Sequence, residues 1–298
     1  MLDEKIRLEK PLLITSKQKE EYFEDGAVLI ESIVPETWLQ KIRRASDEII
    51  ERSRKIEQSN GQYILEEGHS RNNPRLKRLS SPVDHHNTFW DFISSEISSQ
   101  LAADVVGPDV KYHHSKLNYK WANGGTKFDW HQDIQSWPHT DYSPVTLGLF
   151  LYDCTSDQGP MVTIKKSHKG PLFNMYDENQ NWVLSIPEKE FNLNLAKEHT
   201  GPAGSVLLLN CRTIHSSRPN TSNRSRPMLL TVYSSADSMP YTSNPIPSPY
   251  SGTIVRGKQA AWASHDPRPC QLPPDWSKGY VGPWAHQNQK NEMGENIV

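Results

Sequence analysis

The 298-residue chain has few cysteines, almost no net charge and no long apolar run. Its three cysteines, an odd number without metal or redox spacing, favour a reducing cytoplasm and no disulfide framework. A formal net charge of -2 and a pI of about 6.6 indicate neither nucleic acid nor a membrane surface as a partner. No apolar stretch approaches the roughly 20 residues of a spanning helix, and residues 1–5 lack a secretory signal. We therefore expect a soluble, cytoplasmic protein that binds neither nucleic acid nor a membrane.

Several motifs of common enzyme classes are also missing. The sequence contains no P-loop, no G-x-G-x-x-G turn and no Ser-His-Asp motif. We find no internal repeat either. Any catalytic chemistry must therefore be sought in residues other than a phosphate-binding glycine loop or an activated serine.

The hydrophobic pattern changes from helical to strand-like at about Lys111. Residues 59–82 are polar and broken by Gly61, Gly68 and Pro74, which predicts a long loop between two helices. The pattern predicts α+β, with an all-β core that carries N-terminal helices. We divide a single domain into a helical part of about 1–108, a core of about 109–236 and a tail, 237–298. The aromatic residues of the tail, among them Tyr250, Trp262 and Trp276, predict that it wraps the core, and its last residues, from about 287, are expected to be disordered. Predicted helices cover 16–23, with Ser16 as the N-cap, 35 to about 56, and 88–106. Predicted strands cover 26–30, 112–121, 146–152, 161–164, 206–209 and 228–233.

The most informative stretch is Phe128-Asp129-Trp130-His131-Gln132-Asp133. In an extended segment, residues two apart share a face, so His131 and Asp133 point the same way. His215 follows an apolar strand pattern at 204–210, and Arg226 lies eleven residues further on. Two histidines and one carboxylate form the ligand set of non-heme Fe(II) oxygenases, which leaves positions for a 2-oxo acid and O2. A lone histidine is more often structural, but the whole set favours a metal site.

Beyond these residues, the chain resembles a known family. The resemblance is carried by residues 114–120, 125–137, 159–161, 167–169 and 215–220, together with Arg226. These segments resemble the phytanoyl-CoA dioxygenase family of Fe(II)- and 2-oxoglutarate-dependent oxygenases, and most of all its ectoine hydroxylase sub-type. The resemblance implies a double-stranded β-helix, a jelly-roll (cupin-like) core flanked by helices. Two departures stand out: Lys165-Lys166 replace a usual Pro-Gly, and His114 replaces a Gln, which argues against ectoine itself as the substrate.

The resemblance also implies roles for individual residues. His131, Asp133 and His215 would be the catalytic iron ligands. Arg226 would clamp the distal carboxylate of 2-oxoglutarate, because a guanidinium offers a planar fork that lysine lacks. Further contacts to the cosubstrate are expected from Asn118, Ser217 and Thr146, and contacts to the substrate from Trp137, Phe128 and His114.

The implied reaction converts 2-oxoglutarate and O2 to succinate and CO2 while it hydroxylates an unactivated C–H bond. The substrate would be a small polar metabolite, amino-acid-like, zwitterionic or anionic. The basic residues Arg71, Arg75, Lys77 and Arg78 suggest an anionic one. Two alternatives remain: a non-catalytic jelly-roll protein that binds a metabolite at a vestigial metal site, and a zinc hydrolase with the same triad. The oligomeric state is not readable from the sequence.

Overall fold

The computed structural model describes residues 2–122, 124–279 and 284–286. A capping box starts the second helix: Thr15 accepts from the Gln18 backbone, and the Gln18 side chain bonds back. Thr15, and not Ser16 as predicted, is therefore the N-cap. The helices are α1 (Leu2–Leu8), α2 (Ser16–Asp25), α3 (Glu36–Ser53), α4 (Asn87–Ile93) and α5 (Glu96–Val106).

Two antiparallel sheets follow from the strand-like half of the chain. The strands are β1 (Ala27–Ile30), β2 (Tyr63–Leu65), β3 (Leu76–Ser80), β4 (Val110–Asn118), β5 (Phe128–His131), β6 (Val145–Phe150), β7 (Met161–Ile164), β8 (Ala196–His199), β9 (Val206–Asn210), β10 (His215–Ser217), β11 (Met228–Ser235) and β12 (Ile254–Arg256). The larger sheet has the order β1-β9-β6-β11-β4-β3-β2, with β12 also paired to β4; the smaller has the order β5-β10-β7-β8. The helices and the two sheets confirm the predicted α+β jelly-roll class.

The predicted loop over 59–82 is wrong. This segment forms β2 and β3, and β3 pairs with β4 at the edge of the larger sheet. Leu76 and Leu79 are fully buried, but Lys77 and Arg78 line a cleft. The sequence of β3 does not alternate clearly between apolar and polar residues, because its polar side chains also lie inside the protein, in the cleft. The first 108 residues thus contribute three strands, and the single-domain assignment stays a prediction.

The predicted helix over 88–106 is two helices. Ser94 ends α4 and donates its hydroxyl to the Trp90 carbonyl, while Ser95 caps the start of α5.

The Lys165-Lys166 turn is the place where the sequence departs from the Pro-Gly of the family pattern. There Lys166 adopts φ of 65°, the left-handed conformation that glycine favours, and its ammonium pairs with Glu24 at 2.9 Å.

The main hydrophobic core lies between the helices and one face of the larger sheet. Leu39, Ile42 and Ile49 of α3 are buried there together with Leu229 and Tyr233 of β11. Alternate residues of β11, such as Met228 and Leu230, belong instead to the lining of the cleft. The helical layer therefore packs the outer face of the sheet and leaves its inner face to form the site.

The C-terminal tail packs on the core, as its aromatic content predicts. Tyr250 stacks on Trp90 with ring centroids 4.1 Å apart, and the buried Trp276 donates its N–H to the Ser136 carbonyl at 2.7 Å. Trp262 does not take part, since it is 88% exposed. The predicted disorder from about residue 287 concerns residues outside the described ranges. Within those ranges, no helix combines the length and apolar character that a membrane crossing requires.

Candidate active site

Three ligand-type side chains from the smaller sheet and its following turn meet in one cleft. The Asp133 Oδ1 atom lies 3.5 Å from His131 Nε2 and 3.9 Å from His215 Nε2. His131 and His215 are paired across β5 and β10, and their ring centroids are 4.1 Å apart. All three are buried, and within the described ranges they are the one group of three or more such residues close enough to hold a metal.

The orientation of both imidazoles is set locally. His131 Nδ1 bonds to the Asp129 carbonyl and His215 Nδ1 to the Thr213 carbonyl, each at 2.9 Å. A carbonyl can only accept, so each Nδ1 carries the proton and each Nε2 keeps its lone pair for a metal. Thr146 Oγ1 donates to Asp133 Oδ2 at 3.1 Å, which leaves Oδ1 on the histidine side. The donor set therefore fits a divalent ion.

The electrostatics favour the protonation states that a metal needs. Burial by itself would raise the pKa of Asp133, but Lys116 and the two imidazoles hold it well below its ordinary value. Burial and the neighbouring His131 lower the pKa of His215 to about 3. The carboxylate is thus ionised and this imidazole neutral near pH 7, as metal binding requires.

Arg226 enters the cleft from just before β11. It is only 5% exposed, and its Nη2 donates to the Gly159 carbonyl at 2.7 Å. Its Nε has no hydrogen-bond partner in the described part of the chain, and no described carboxylate faces it. A buried guanidinium with unused donors is a site for a carboxylate ligand.

The structure brings the other predicted site residues to the same cleft, which is open to solvent and encloses about 950 Å³ when that open space is included. Thr146 lines this cleft and donates its hydroxyl to Asp133, and its contact with the cosubstrate stays a prediction. Phe128 packs edge-on against His131 with centroids 4.5 Å apart. The remaining predicted residues in the lining are His114, Asn118, Trp137 and Ser217.

The lining residues that were not predicted from the sequence include the charged Glu66, Lys116 and Lys120 and the aromatic Trp284. Lys116 could have been found, since it stands two residues from both His114 and Asn118 in a strand, where such positions share a face. Glu66 and Trp284 carry no such signal because remote segments bring them in. Of the basic residues near 71–78, Lys77 and Arg78 line the cleft and Arg71 and Arg75 do not.

Comparison with known proteins settles the family. The family model described as Phytanoyl-CoA dioxygenase (PhyH) matches residues 22–228, which is more than half of the chain. The chain belongs to the phytanoyl-CoA dioxygenase family. The matched range includes the triad and Arg226, and the family agrees with the resemblance found in the sequence.

The relatives within this family are dioxygenases and hydroxylases. The chain is 28% identical over 268 residues to a probable alpha-ketoglutarate-dependent hypophosphite dioxygenase of Stutzerimonas stutzeri, covering 87% of this chain and 90% of the relative. It is 26% identical over 253 residues to L-proline trans-4-hydroxylase of Streptomyces griseoviridis, covering 78% and 90%. The predicted enzyme class, an Fe(II)- and 2-oxoglutarate-dependent dioxygenase, is thereby confirmed. Neither the non-catalytic nor the zinc-hydrolase alternative gains support.

Solved structures agree on the fold. EctD from S. alaskensis with bound Fe superimposes with a TM-score of 0.62 at 19% identity, covering 85% of this chain and 88% of that one. The same protein has been crystallised with 2-oxoglutarate and 5-hydroxyectoine, again with a TM-score of 0.62. Together with the family and the triad, these structures support iron and 2-oxoglutarate as the predicted cofactors.

Proposed function

We propose that this protein oxidises a small anionic metabolite with iron, 2-oxoglutarate and O2, and that His131, Asp133 and His215 bind the iron. The observation that carries this is one cleft that holds both the triad and the buried Arg226. Two imidazoles and a carboxylate suit ferrous iron and leave positions for a bidentate 2-oxo acid. A hydrolytic zinc site would not need a buried guanidinium that binds the carboxylate of a cosubstrate.

The chain's own residues bind, orient and shield the reactants. When bound, the iron and the keto acid supply an oxidant strong enough for an inert bond. Arg226 holds the distal carboxylate of 2-oxoglutarate and so fixes its keto end toward the triad. Phe128, packed against His131, and the buried Trp137 both line the cleft and help to exclude water from it.

The substrate class follows from the charges of the cleft. Five cationic side chains and two carboxylates line it, and the relative from Stutzerimonas stutzeri named above is a probable hypophosphite dioxygenase. Iron and 2-oxoglutarate cancel each other's charge, so the cationic excess remains for the substrate. The first compounds to test are therefore hypophosphite and short phosphonates. Ectoine, a zwitterion, and L-proline serve as comparisons.

An anaerobic titration tests the cofactor assignment. Wild-type protein with Fe(II) should develop a weak visible charge-transfer band when 2-oxoglutarate is added, and Asp133→Ala should not. With O2 admitted, succinate should form faster with an anionic substrate than with ectoine or L-proline. A wild-type protein that shows no band, or that releases no succinate with any compound, would contradict the proposal and favour a vestigial site.

A further inference from the structure

The inner face of β4 presents a lysine to the cleft at a point away from Arg226. His114, Lys116 and Asn118 are alternate residues of this strand and all line the cleft. The backbone of Arg226 pairs with Lys120, four residues beyond Lys116, or about 13 Å along an extended strand. Lys116 therefore enters the cleft at one level along β4, and Arg226 enters it at another level, beyond the end of that strand.

The other cations of the cleft have partners or assigned work. Lys120 donates to the Arg218 carbonyl. Arg78 donates to Asn118 Oδ1 at 2.9 Å, and both Arg78 and Lys77 lie over the Trp284 ring, 4.6 and 4.7 Å from its centroid. Arg226 is the proposed anchor of 2-oxoglutarate.

Lys116 is different from these cations. It lines the cleft with an intermediate exposed fraction, its ammonium is partly desolvated, and that ammonium forms no hydrogen bond to another described residue. Asp133 is the one described carboxylate that acts on it, and Asp133 is also the proposed iron ligand. Once iron is bound to the triad, the negative charge of Asp133 is offset by the metal and no longer balances the charge of Lys116. A desolvated ammonium then lacks a counter-charge, which is costly unless a ligand supplies one.

A histidine pair completes the surroundings of Lys116. His114 Nδ1 and His113 Nδ1 are 2.6 Å apart, so one ring must donate and the other accept. When His113 donates, the proton of His114 is on Nε2, the ring atom that His113 does not engage. His114 then offers an N–H on the same strand face as the Lys116 ammonium. An ammonium and an imidazole N–H suit a compact oxyanion with several acceptor atoms.

We propose that Lys116, assisted by His114, is the specificity-determining residue that binds the anionic group of the substrate. This inference rests on the proposed function and names the contact through which that site selects anions. Lys116 discriminates against zwitterionic and neutral compounds because only an anion neutralises its charge. Arg226 keeps the cosubstrate, so the two anionic ligands are held by different cations.

The test uses inorganic phosphite as a probe of the Fe(II)–2-oxoglutarate complex under argon. In wild-type protein, phosphite should shift the visible band and give a dissociation constant, while glycerol and glycine betaine at equal concentration should not. Lys116→Gln should raise that constant by about 10- to 100-fold, the loss expected for a charged hydrogen bond. The dissociation constant for 2-oxoglutarate should change less than about twofold, and Lys116→Arg should retain phosphite binding within about tenfold.

Two control variants separate contact from general charge effects and from folding. Lys127→Gln removes an exposed cation outside the cleft lining and should bind phosphite like the wild type. His114→Phe keeps a ring but removes its N–H, and it should weaken phosphite binding by about 3- to 10-fold, since a neutral donor contributes less than a charged one. Thermal unfolding of each variant checks the fold. If Lys116→Gln does not fold, His114→Phe and the phosphite-to-betaine ratio of the wild type decide the question.

The contradicting outcomes are distinct. Unchanged phosphite binding in Lys116→Gln, or weaker 2-oxoglutarate binding in its place, overturns the inference, and the second result would assign Lys116 to the cosubstrate. Stronger binding of betaine than of phosphite by the wild type overturns it without any variant. A band that no anion shifts refutes the inference alone, whereas a missing band refutes the proposed function with it.

Discussion

The hydroxyl of Thr146 gives the sharpest prediction about the metal site. Thr146 is 2% exposed and donates to Asp133 Oδ2 at 3.1 Å. Thr146→Val keeps the branched shape and removes this donor, and a hydrogen bond to a charged group contributes about 1.5–3 kcal/mol. If that energy holds the carboxylate in its binding orientation, the affinity for Fe(II) should fall roughly 10- to 100-fold.

Competition with a chromogenic Fe(II) chelator under argon measures this affinity. Thr146→Ser retains the hydroxyl and should bind iron nearly as the wild type does. Thr231→Val is a matched control, because Thr231 is a buried threonine of the neighbouring strand β11 that faces the helical side. Equal iron affinity in Thr146→Val and wild type would refute the positioning role. An equal loss in Thr231→Val would assign the effect to general destabilisation.

Three further predictions concern the anchor, its turn and acid stability. Arg226→Lys should raise the 2-oxoglutarate dissociation constant at least about tenfold in the anaerobic titration and leave iron affinity unchanged, because an ammonium cannot bind a carboxylate bidentately; an unchanged constant would place the carboxylate elsewhere. Gly159→Ala should lower stability by about 1–3 kcal/mol and weaken 2-oxoglutarate binding, since φ is +69° and the new Cβ would lie 2.5 Å from the Arg218 carbonyl oxygen. Gly252 has a similar φ of +87° but open surroundings, so Gly252→Ala is the control. If Gly159→Ala lowers the free energy of unfolding in urea no more than Gly252→Ala does, the clash is contradicted. Burial lowers the pKa of His199 from 6.5 to about 3, so between these values only the unfolded chain binds its proton and the free energy of unfolding falls as pH falls. His199→Gln should make that fall shallower by up to about 1.4 kcal/mol per pH unit in urea titrations at pH 7 and 5, and an unchanged slope would refute the assignment.

The sequence predicted those parts of the fold whose local pattern matches their final surroundings. The strand over Met161–Ile164 and the core strand that begins at Met228 are largely apolar, and both were predicted at or near their observed bounds. The edge strand Leu76–Ser80 was missed, since pairing with β4 and not its own composition makes it extended. The break at Ser94-Ser95 was missed because the apolar spacing of the two helices continues across it.

The site was predictable to the extent that it depends on spacing. His131 and Asp133 could be placed on one face from their separation alone, whereas His215 and Arg226 needed the family resemblance to select them among other histidines and arginines. Lys116 was within reach of the same strand argument. Trp284 and Glu66 were not, because their position in the cleft results from tertiary packing of distant segments.

The two imidazole tethers described above each span only three residues, from Asp129 to His131 and from Thr213 to His215. Alignment of the ligands is therefore a property of short backbone stretches and is independent of the hairpin Tyr63–Ser80 that supplies Lys77 and Arg78. Exchanging that hairpin for another sequence would retune which molecules are admitted while the oxidising centre keeps its shape. In this architecture, substrate specificity and the oxidation chemistry can evolve separately.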